Sequence, residues 1–203
     1  MQLYERYILP HLIDFACGMG EVMQARAALV PQAHGRVLEI GIGSGLNLAF
    51  YDAQKVSAIV GVDPSAAMQK LARKRSARIA IPVEMIALEL GQIQAADASF
   101  DSIVCTFTLC SITDAVAALK DMRRVLKPAG RLLFCEHGLA PDAAVAHWQR
   151  RLTPYWKPLA GGCHLDRDIP ALLAAGGFHV QQLQTGYLKG PKPMTYVYSG
   201  WAD

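Results

Sequence analysis

The chain has 203 residues, 52% of them hydrophobic and 18% charged, with 20 Lys+Arg against 17 Asp+Glu. That length is about one α/β domain, and so much apolar surface excludes a disordered, collagen-like or acidic-tail chain. The apolar stretches are strand-sized, short of the ~20 residues that span a bilayer, and a net charge of +3 is too mild to call for nucleic acid.

The first thirty residues read as helical, interrupted at Pro10 and near Gly18 and Gly20. Ile8, Leu12, Phe15, Met19 and Val22 recur at spacings of three and four as one apolar stripe. Arg36–Ile40 is a strand that runs into the glycine turn Gly41–Gly45 and a helix to about Ala53. Val56–Val62 is a second strand ending at Asp63-Pro64, where proline suits the first turn of a helix that runs to about Arg78. A third strand follows near Ile81–Leu88, then a turn at Asp97–Asp101 and a fourth strand at Ser102–Thr108. Thr113 or Ser111 can cap a helix carrying Val116, Leu119, Met122 and Leu126 on one face, which stops before Pro128-Ala129-Gly130. Arg131–Glu136 is the fifth strand. Helical stretches near Ala143–Leu152 and Asp168–Ala175 precede the break at Gly176-Gly177. Strands around His179–Thr185 and Tyr196–Trp201 close the chain. The sum is five strand–helix units and a closing pair of strands. The non-helical segment Gly186–Thr195 joins that pair, so the last strand can be antiparallel. One doubly wound α/β sheet in a single domain, 1–203, accounts for the whole.

Five cysteines without a C-x-x-C pair match neither a zinc site nor a secreted disulfide framework, so no metal is expected. Reduced thiols in a cytoplasmic protein are the simplest reading. The start of the chain, with Glu5, Arg6 and Asp14, lacks the layout of a signal peptide.

Val37-Leu38-Glu39-Ile40-Gly41-Ile42-Gly43-Ser44-Gly45 is the strongest signal in the chain. A strand turning sharply into a helix needs Gly where φ is positive or a ligand approaches the backbone, and the helix start offers free N–H groups to an anion. Asp63, at the carboxyl end of the next strand, can accept both hydroxyls of a ribose. The nicotinamide fingerprint G-x-G-x-x-G needs a small residue where Leu46 stands, and Glu39 would repel a pyrophosphate. A ligand with both a carboxylate and an ammonium tolerates that acid, so the spacing favours S-adenosylmethionine over NAD. Tyr51 and Lys55 form a Tyr-x-x-x-Lys pair, but on the helix after the glycine turn, and are read as chance.

Over nearly its whole length the sequence resembles the class I S-adenosylmethionine-dependent methyltransferases. VLEIGIGSG looks like the first family motif, GVDPS the second, DASFDSIVCTFTLCSI the fourth-strand segment and RVLKPAGRLLFCEHG the fifth-strand unit. Within the class it is most similar to small methyltransferase-like proteins of the thiol type and to bacterial phosphatidylethanolamine N-methyltransferases. The thiol-type likeness extends through WQRRLTPYWKPLAGGCHLDRD. The resemblance implies a Rossmann-like seven-stranded sheet in order 3-2-1-4-5-7-6 with strand seven antiparallel. It implies that Gly41, Gly43 and Gly45 pass close to the methionine part of the cofactor, with Glu39 on its ammonium side. Asp63 would hold the ribose, Pro64 and Met68 would lie against adenine or ribose, and Thr106 would face the methionine. Adenine recognition would fall to backbone groups at Leu90 and Gly91. Residues 1–30 would form a helical lid. The Asn/Asp-Pro-Pro-Tyr/Phe motif of nucleobase amino methyltransferases is absent, which with the small charge argues against nucleic acid.

Methyl transfer from an activated sulfonium requires alignment, exclusion of water and, where needed, removal of a proton. His137, directly after strand five, is the first choice as base for a thiol, phenol or ammonium, or else a histidine bonding loop backbone. Cys110 reads as a buried thiol lining the pocket rather than a nucleophile. His164 and Asp166 either edge the acceptor pocket or, with Asp168, serve a helix N-cap. Tyr4 and Tyr7 belong to the lid or to the core. The basic run Lys70, Arg73, Lys74, Arg75 and Arg78 reads as a solvated face before a lipid-docking one. The expected acceptor is small and apolar: a thiol, an amine or a hydroxyl. The alternatives are a phospholipid headgroup at a membrane surface and a catalytically silent cofactor-binding module.

Overall fold

The computed structural model describes residues 2–86, 88–89 and 92–203. Seven strands build one sheet: β1 (Gly35–Ile40), β2 (Val56–Val62), β3 (Val83–Ile86), β4 (Phe100–Thr106), β5 (Leu126–His137), β6 (Val180–Tyr187) and β7 (Tyr196–Ala202). Their spatial order is β3-β2-β1-β4-β5-β7-β6. The first five run parallel, and β7 lies antiparallel to both β5 and β6. This is the doubly wound order expected from the sequence. Side chains alternate across a strand, so neighbours in β1 serve opposite cores. Leu38 packs with Ile103, Leu119, Met122 and Phe134 on one face, and Val37 with Ile59, Val104 and Leu133 on the other. Burial on both faces is why these strands read as continuous apolar runs.

The helices are α1 (Gln2–Tyr7), α2 (Leu9–Cys17), α3 (Gly20–Leu29), α4 (Ala66–Ser76), α5 (Ala115–Val125), α6 (Ala143–Leu159), α7 (Ile169–Ala175) and α8 (Lys192–Thr195). Several differ from the sequence reading, each for a local reason. The first break falls at Ile8, because Pro10 sits in the first turn of α2, where its missing N–H costs nothing. After the glycine turn there is only a 3-10 helix, Leu46–Phe50. Asn47 of that helix and Tyr51 just after it turn inward to the buried Glu39, and a turn closed by Lys55 N and Val56 N on Asp52 O leads into β2. Asp114, not Thr113 or Ser111, caps α5 by accepting from Ala117 N at 2.9 Å. β5 begins early, at Leu126 opposite Phe100, and absorbs Pro128-Ala129-Gly130 in a register shift before Arg131 meets Ser102.

α6 runs through Pro154 and Pro158 where a stop near Leu152 was expected. Tertiary anchoring offsets the lost bonds: Gln149, 1% exposed, receives Ala140 N and donates to the carbonyls of Gly138 and Pro193. The link between β6 and β7 is not wholly non-helical, since α8 occupies Lys192–Thr195. Between β3 and β4 the crossover carries a two-residue ribbon, Leu88–Glu89 with Gln92–Ile93, instead of a helix.

Candidate cofactor site

A cavity of ≈ 1090 Å³ opens at the carboxyl ends of β1, β2 and β4, the crevice where doubly wound sheets bind ligands. Gly41, Gly43, Asp63, Pro64, Met68 and Thr106 all line it. The glycine turn is forced by its surroundings. Gly41 has φ +66°, and a Cβ there would lie 2.2 Å from Thr108 Oγ1. Gly45 has φ +83° and its Cβ would meet Leu48 Cδ1 at 2.8 Å. Gly45 therefore shapes the turn from behind and is not in the cavity wall. Gly43, at φ +55°, points its N–H at Asp63 Oδ2, 2.9 Å away.

Asp63 is positioned by three contacts. Its Oδ1 accepts Ser65 N at 2.8 Å, its Oδ2 accepts Gly43 N, and its own carbonyl accepts Gln69 Nε2 at 2.7 Å. Burial pushes its carboxyl above the usual range, against those two backbone N–H groups. Each oxygen keeps a lone pair for a hydroxyl in the cavity.

Glu39 sits elsewhere than its place beside the glycines suggests. It is 1% exposed, behind the cavity wall, with Oε1 receiving Asn47 Nδ2 at 3.0 Å and Oε2 receiving Tyr51 OH at 2.9 Å. Burial pushes its carboxyl up to about 7, despite those two hydrogen bonds and the positive Arg26 nearby. Tyr51, dismissed with Lys55 as a chance pair, is thus half of the Glu39 clasp. Arg26 was missed altogether in the sequence. It is 5% exposed, donates to Asn47 Oδ1 at 2.8 Å and to Thr106 Oγ1 at 2.6 Å, and lines the cavity. Its Nε is buried without a hydrogen-bond partner among the described residues. A guanidinium with an unspent N–H at a cavity wall fits a carboxylate, and an orphaned donor of this kind costs ~1–3 kcal/mol until one arrives.

The roof is α2, which sets Leu9, Ile13, Asp14 and Cys17 over the glycine turn. Asp14 holds it down by accepting Ser44 Oγ at 2.5 Å and pairing with Arg75 Nη1 at 2.9 Å. Burial works upward on Asp14, but the Arg75 and Ser44 bonds outweigh it and keep the carboxyl below its usual range. Of the basic run on α4 and the turn after it, Arg75 is therefore turned inward as a latch, while Lys70, Arg73, Lys74 and Arg78 are exposed. Asp14→Ala removes a half-exposed ion pair worth about 1 kcal/mol. Limited proteolysis within residues 1–29 should then run about fivefold faster, and an unchanged rate would show that the latch does not hold the roof.

His137, the candidate base, does not reach the cavity wall; its Nε2 lies 2.8 Å from Cys163 Sγ. Cys110, 3% exposed, is likewise absent from the wall, which Ser111 forms in its place. Hydrogen bonding from Cys163 pulls the Cys110 thiol well below its usual range, and the same contact drives Cys163 up. His164 pairs weakly with Asp166 at 3.9 Å, while Asp168 is the N-cap of α7. Leu90 and Gly91 lie outside the described residues.

Residues 38–134 match the family described as methyltransferase domain. Thiol S-methyltransferase TMT1B of Homo sapiens is 33% identical over 171 residues, covering 81% of this chain and 68% of that protein. The chain belongs to the class I S-adenosylmethionine-dependent methyltransferases. The Rattus norvegicus TMT1B is 38% identical over 152 residues, 73% of this chain, and this chain spans 62% of its length. The phosphatidylethanolamine N-methyltransferase of Cereibacter sphaeroides is 28% identical over 175 residues, covering 84% of this chain and 83% of that one. Among solved structures, a Leishmania major S-adenosylmethionine-dependent methyltransferase superposes with TM-score 0.71 at 17% identity, over 99% of this chain and 80% of its own. That last likeness speaks for the fold alone. The cofactor of this methyltransferase family is S-adenosylmethionine, and the orphaned Arg26 Nε, the open Asp63 oxygens and the glycine cradle fit it.

Proposed function

We propose that this methyltransferase methylates a small apolar thiol, with Asp63 holding the cofactor's ribose and Arg26 its carboxylate. The cofactor supplies a methyl group already activated on a sulfonium, so the chain has to align, exclude water and accommodate a proton. Gly41 and Gly43 admit the methionine part to the backbone, and Pro64 and Met68 flank the ribose or adenine. Glu39 then acts on the ammonium at one remove, through Asn47 and Arg26, whose side chains it orders. Leu90 and Gly91 remain our placement for adenine. Residues 1–30 are the lid, and the Leu9, Ile13 and Cys17 side of α2 supplies the dry apolar roof a small acceptor needs. His137 as a base requires its Cys163 contact to open first.

The observation that carries this reading is the cavity in which the glycine turn, Asp63 and Arg26 face an apolar roof. The thiol comes from the relatives named thiol S-methyltransferase. Calorimetry should show micromolar S-adenosylhomocysteine binding, and a panel of alkyl thiols, amines and phenols should release S-adenosylhomocysteine fastest with thiols. NAD binding in its place would overturn the cofactor reading. Slow turnover across the whole panel would leave a silent cofactor-binding module.

A phospholipid acceptor is favoured by one observation. Leu3, Phe15, Tyr155 and Leu159 are 76%, 75%, 74% and 61% exposed, and Tyr4 OH on Leu159 O at 2.7 Å ties α1 to the end of α6. Exposed Arg150 and Arg151 flank that apolar surface, as at a lipid interface. No described helix is long and apolar enough to cross a membrane. Co-sedimentation with anionic vesicles, weakened by joint Phe15→Ser and Tyr155→Ser substitution, is the expected result for this acceptor; a chain that stays in the supernatant rules it out. We assign the protein to a reducing compartment, the cytoplasm, a reading supported by five cysteines none of which is in a disulfide.

A further inference from the structure

The same end of the sheet brings together three groups that lie outside the wall of the cofactor cavity. Cys110 lies in the loop after β4, His137 ends β5, and Cys163 lies between α6 and α7. Their two Sγ atoms and an imidazole nitrogen all lie within 4.8 Å of one another. We propose that Cys110, His137 and Cys163 form a binding site for one soft divalent cation, zinc in the first place. Both sulfurs bind as thiolates, His137 binds through Nε2, and a fourth position stays open to a small exogenous ligand.

The donor chemistry selects this ion class, since two thiolates and an imidazole suit zinc and exclude magnesium or calcium. Charge agrees as well: two thiolates and a divalent cation sum to zero, which a buried site tolerates and a lone cation does not. Three protein ligands from distant parts of the chain, with no C-x-x-C pair, are the pattern of an open site and not of a closed structural one. That spacing is also why the sequence reads as metal-free.

The geometry is close to what the ion needs. Bonds of about 2.3 Å to sulfur and about 2.0 Å to nitrogen at tetrahedral angles set S and N about 3.5 Å apart. His137 Nε2 is 2.8 Å from Cys163 Sγ, so the imidazole has only to swing outward. The loops that carry the ligands are fixed to one another. His164 N donates to Cys110 O at 2.9 Å, and the Arg167 guanidinium donates to Leu109 O and, at 2.6 Å, to Ile112 O. Leu139 N on Arg167 O at 2.8 Å ties the end of β5 to the same loop.

Two buried donors beside the cluster point the same way. His137 Nδ1 and Trp156 Nε1 have no hydrogen-bond partner among the described residues. The Trp156 indole lies beside Cys163, where an outer-shell N–H supports a metal-bound sulfur. His137 Nδ1 carries the proton once Nε2 is committed to an ion.

The test uses the full chain, purified under a phosphine reductant, stripped with chelator and titrated with cobalt(II) as the probe. The expected result is one equivalent bound, with a near-ultraviolet thiolate-to-cobalt charge-transfer band that zinc(II) displaces. Cys110→Ser and Cys163→Ser should each lose most of that band, and Cys17→Ser should keep it. S-adenosylhomocysteine binding is measured in parallel, so that failure of the metal site is distinguished from failure of the methyltransferase reading. The proposal is overturned if the wild-type chain gives no such band. A band that survives in Cys163→Ser, or a Cys110–Cys163 disulfide formed under the same reductant, overturns it equally.

Discussion

Asp63→Ala should lower S-adenosylhomocysteine affinity by at least about a hundredfold. In the proposed site the carboxylate accepts two ribose hydroxyls, and a hydrogen bond to a charged group is worth about 1.5–3 kcal/mol. Losing two gives a cost of about 3 kcal/mol or more, which is two decades in Kd. The same carboxylate also receives Gly43 N at 2.9 Å and Ser65 N at 2.8 Å, so the substitution loosens the glycine turn. Asp63→Asn separates the two effects. Its remaining carbonyl oxygen keeps one of those backbone donors, while the charge and one acceptor are lost, so its affinity should fall between wild type and Ala. Calorimetric titration measures both variants, and thermal melts without cofactor report the turn. Unchanged affinity in Asp63→Ala would show that the ribose lies elsewhere.

What the sequence disclosed follows the range of the forces involved. The sheet was legible because parallel strands buried on two faces leave runs such as Val37-Leu38 and Ile103-Val104 that no other element needs. The turn was legible because glycine adopts the positive φ of Gly41, Gly43 and Gly45 without side-chain strain. Asp63 followed from its strand end. The cap of α5 was misplaced because Ser111, Thr113 and Asp114 are all capping residues, and only the incoming chain path decides that Asp114 receives Ala117 N. Helix α6 outran Pro154 because Gln149 binds backbone at Gly138, Ala140 and Pro193, contacts no local propensity contains. The partners of Glu39 were hidden for the same reason. Asn47 sits on a 3-10 helix, Tyr51 is the extended residue after it and Arg26 lies on a helix before the sheet begins, so no period links them. Asp14 showed only as an acid interrupting an apolar stripe, and its meaning depends on Arg75, far along the chain.

Raising the pH from about 5 to 8 should destabilise the wild-type protein, and Glu39→Gln should remove much of that slope. Burial pushes Glu39 up to about 7 in the folded chain, from an ordinary value of 4.5. Between those values the folded state holds a proton that the unfolded state has released, so stability falls as pH rises through the window. The accumulated loss is on the order of 3 kcal/mol above pH 7. Glu136, pushed up to about 8 by burial, acts in the same direction, so the variant keeps the part of the slope that belongs to it. Gln preserves the shape of the site: its carbonyl accepts from Asn47 Nδ2, and its amide donates to the Tyr51 hydroxyl oxygen, which can reverse its role. Denaturant melts should therefore find Glu39→Gln more stable than wild type at pH 8 and no more stable at pH 5. Parallel pH profiles would mean that Glu39 is ionised throughout. The same carboxyl links stability to function. An ammonium bound near it lowers its pKa, so cofactor binding at pH 6.5 should release a fraction of a proton in wild type and none from this site in the variant. Calorimetry in two buffers of different ionisation enthalpy reads that proton directly, and equal release in both proteins would remove Glu39 from the ammonium side of the site.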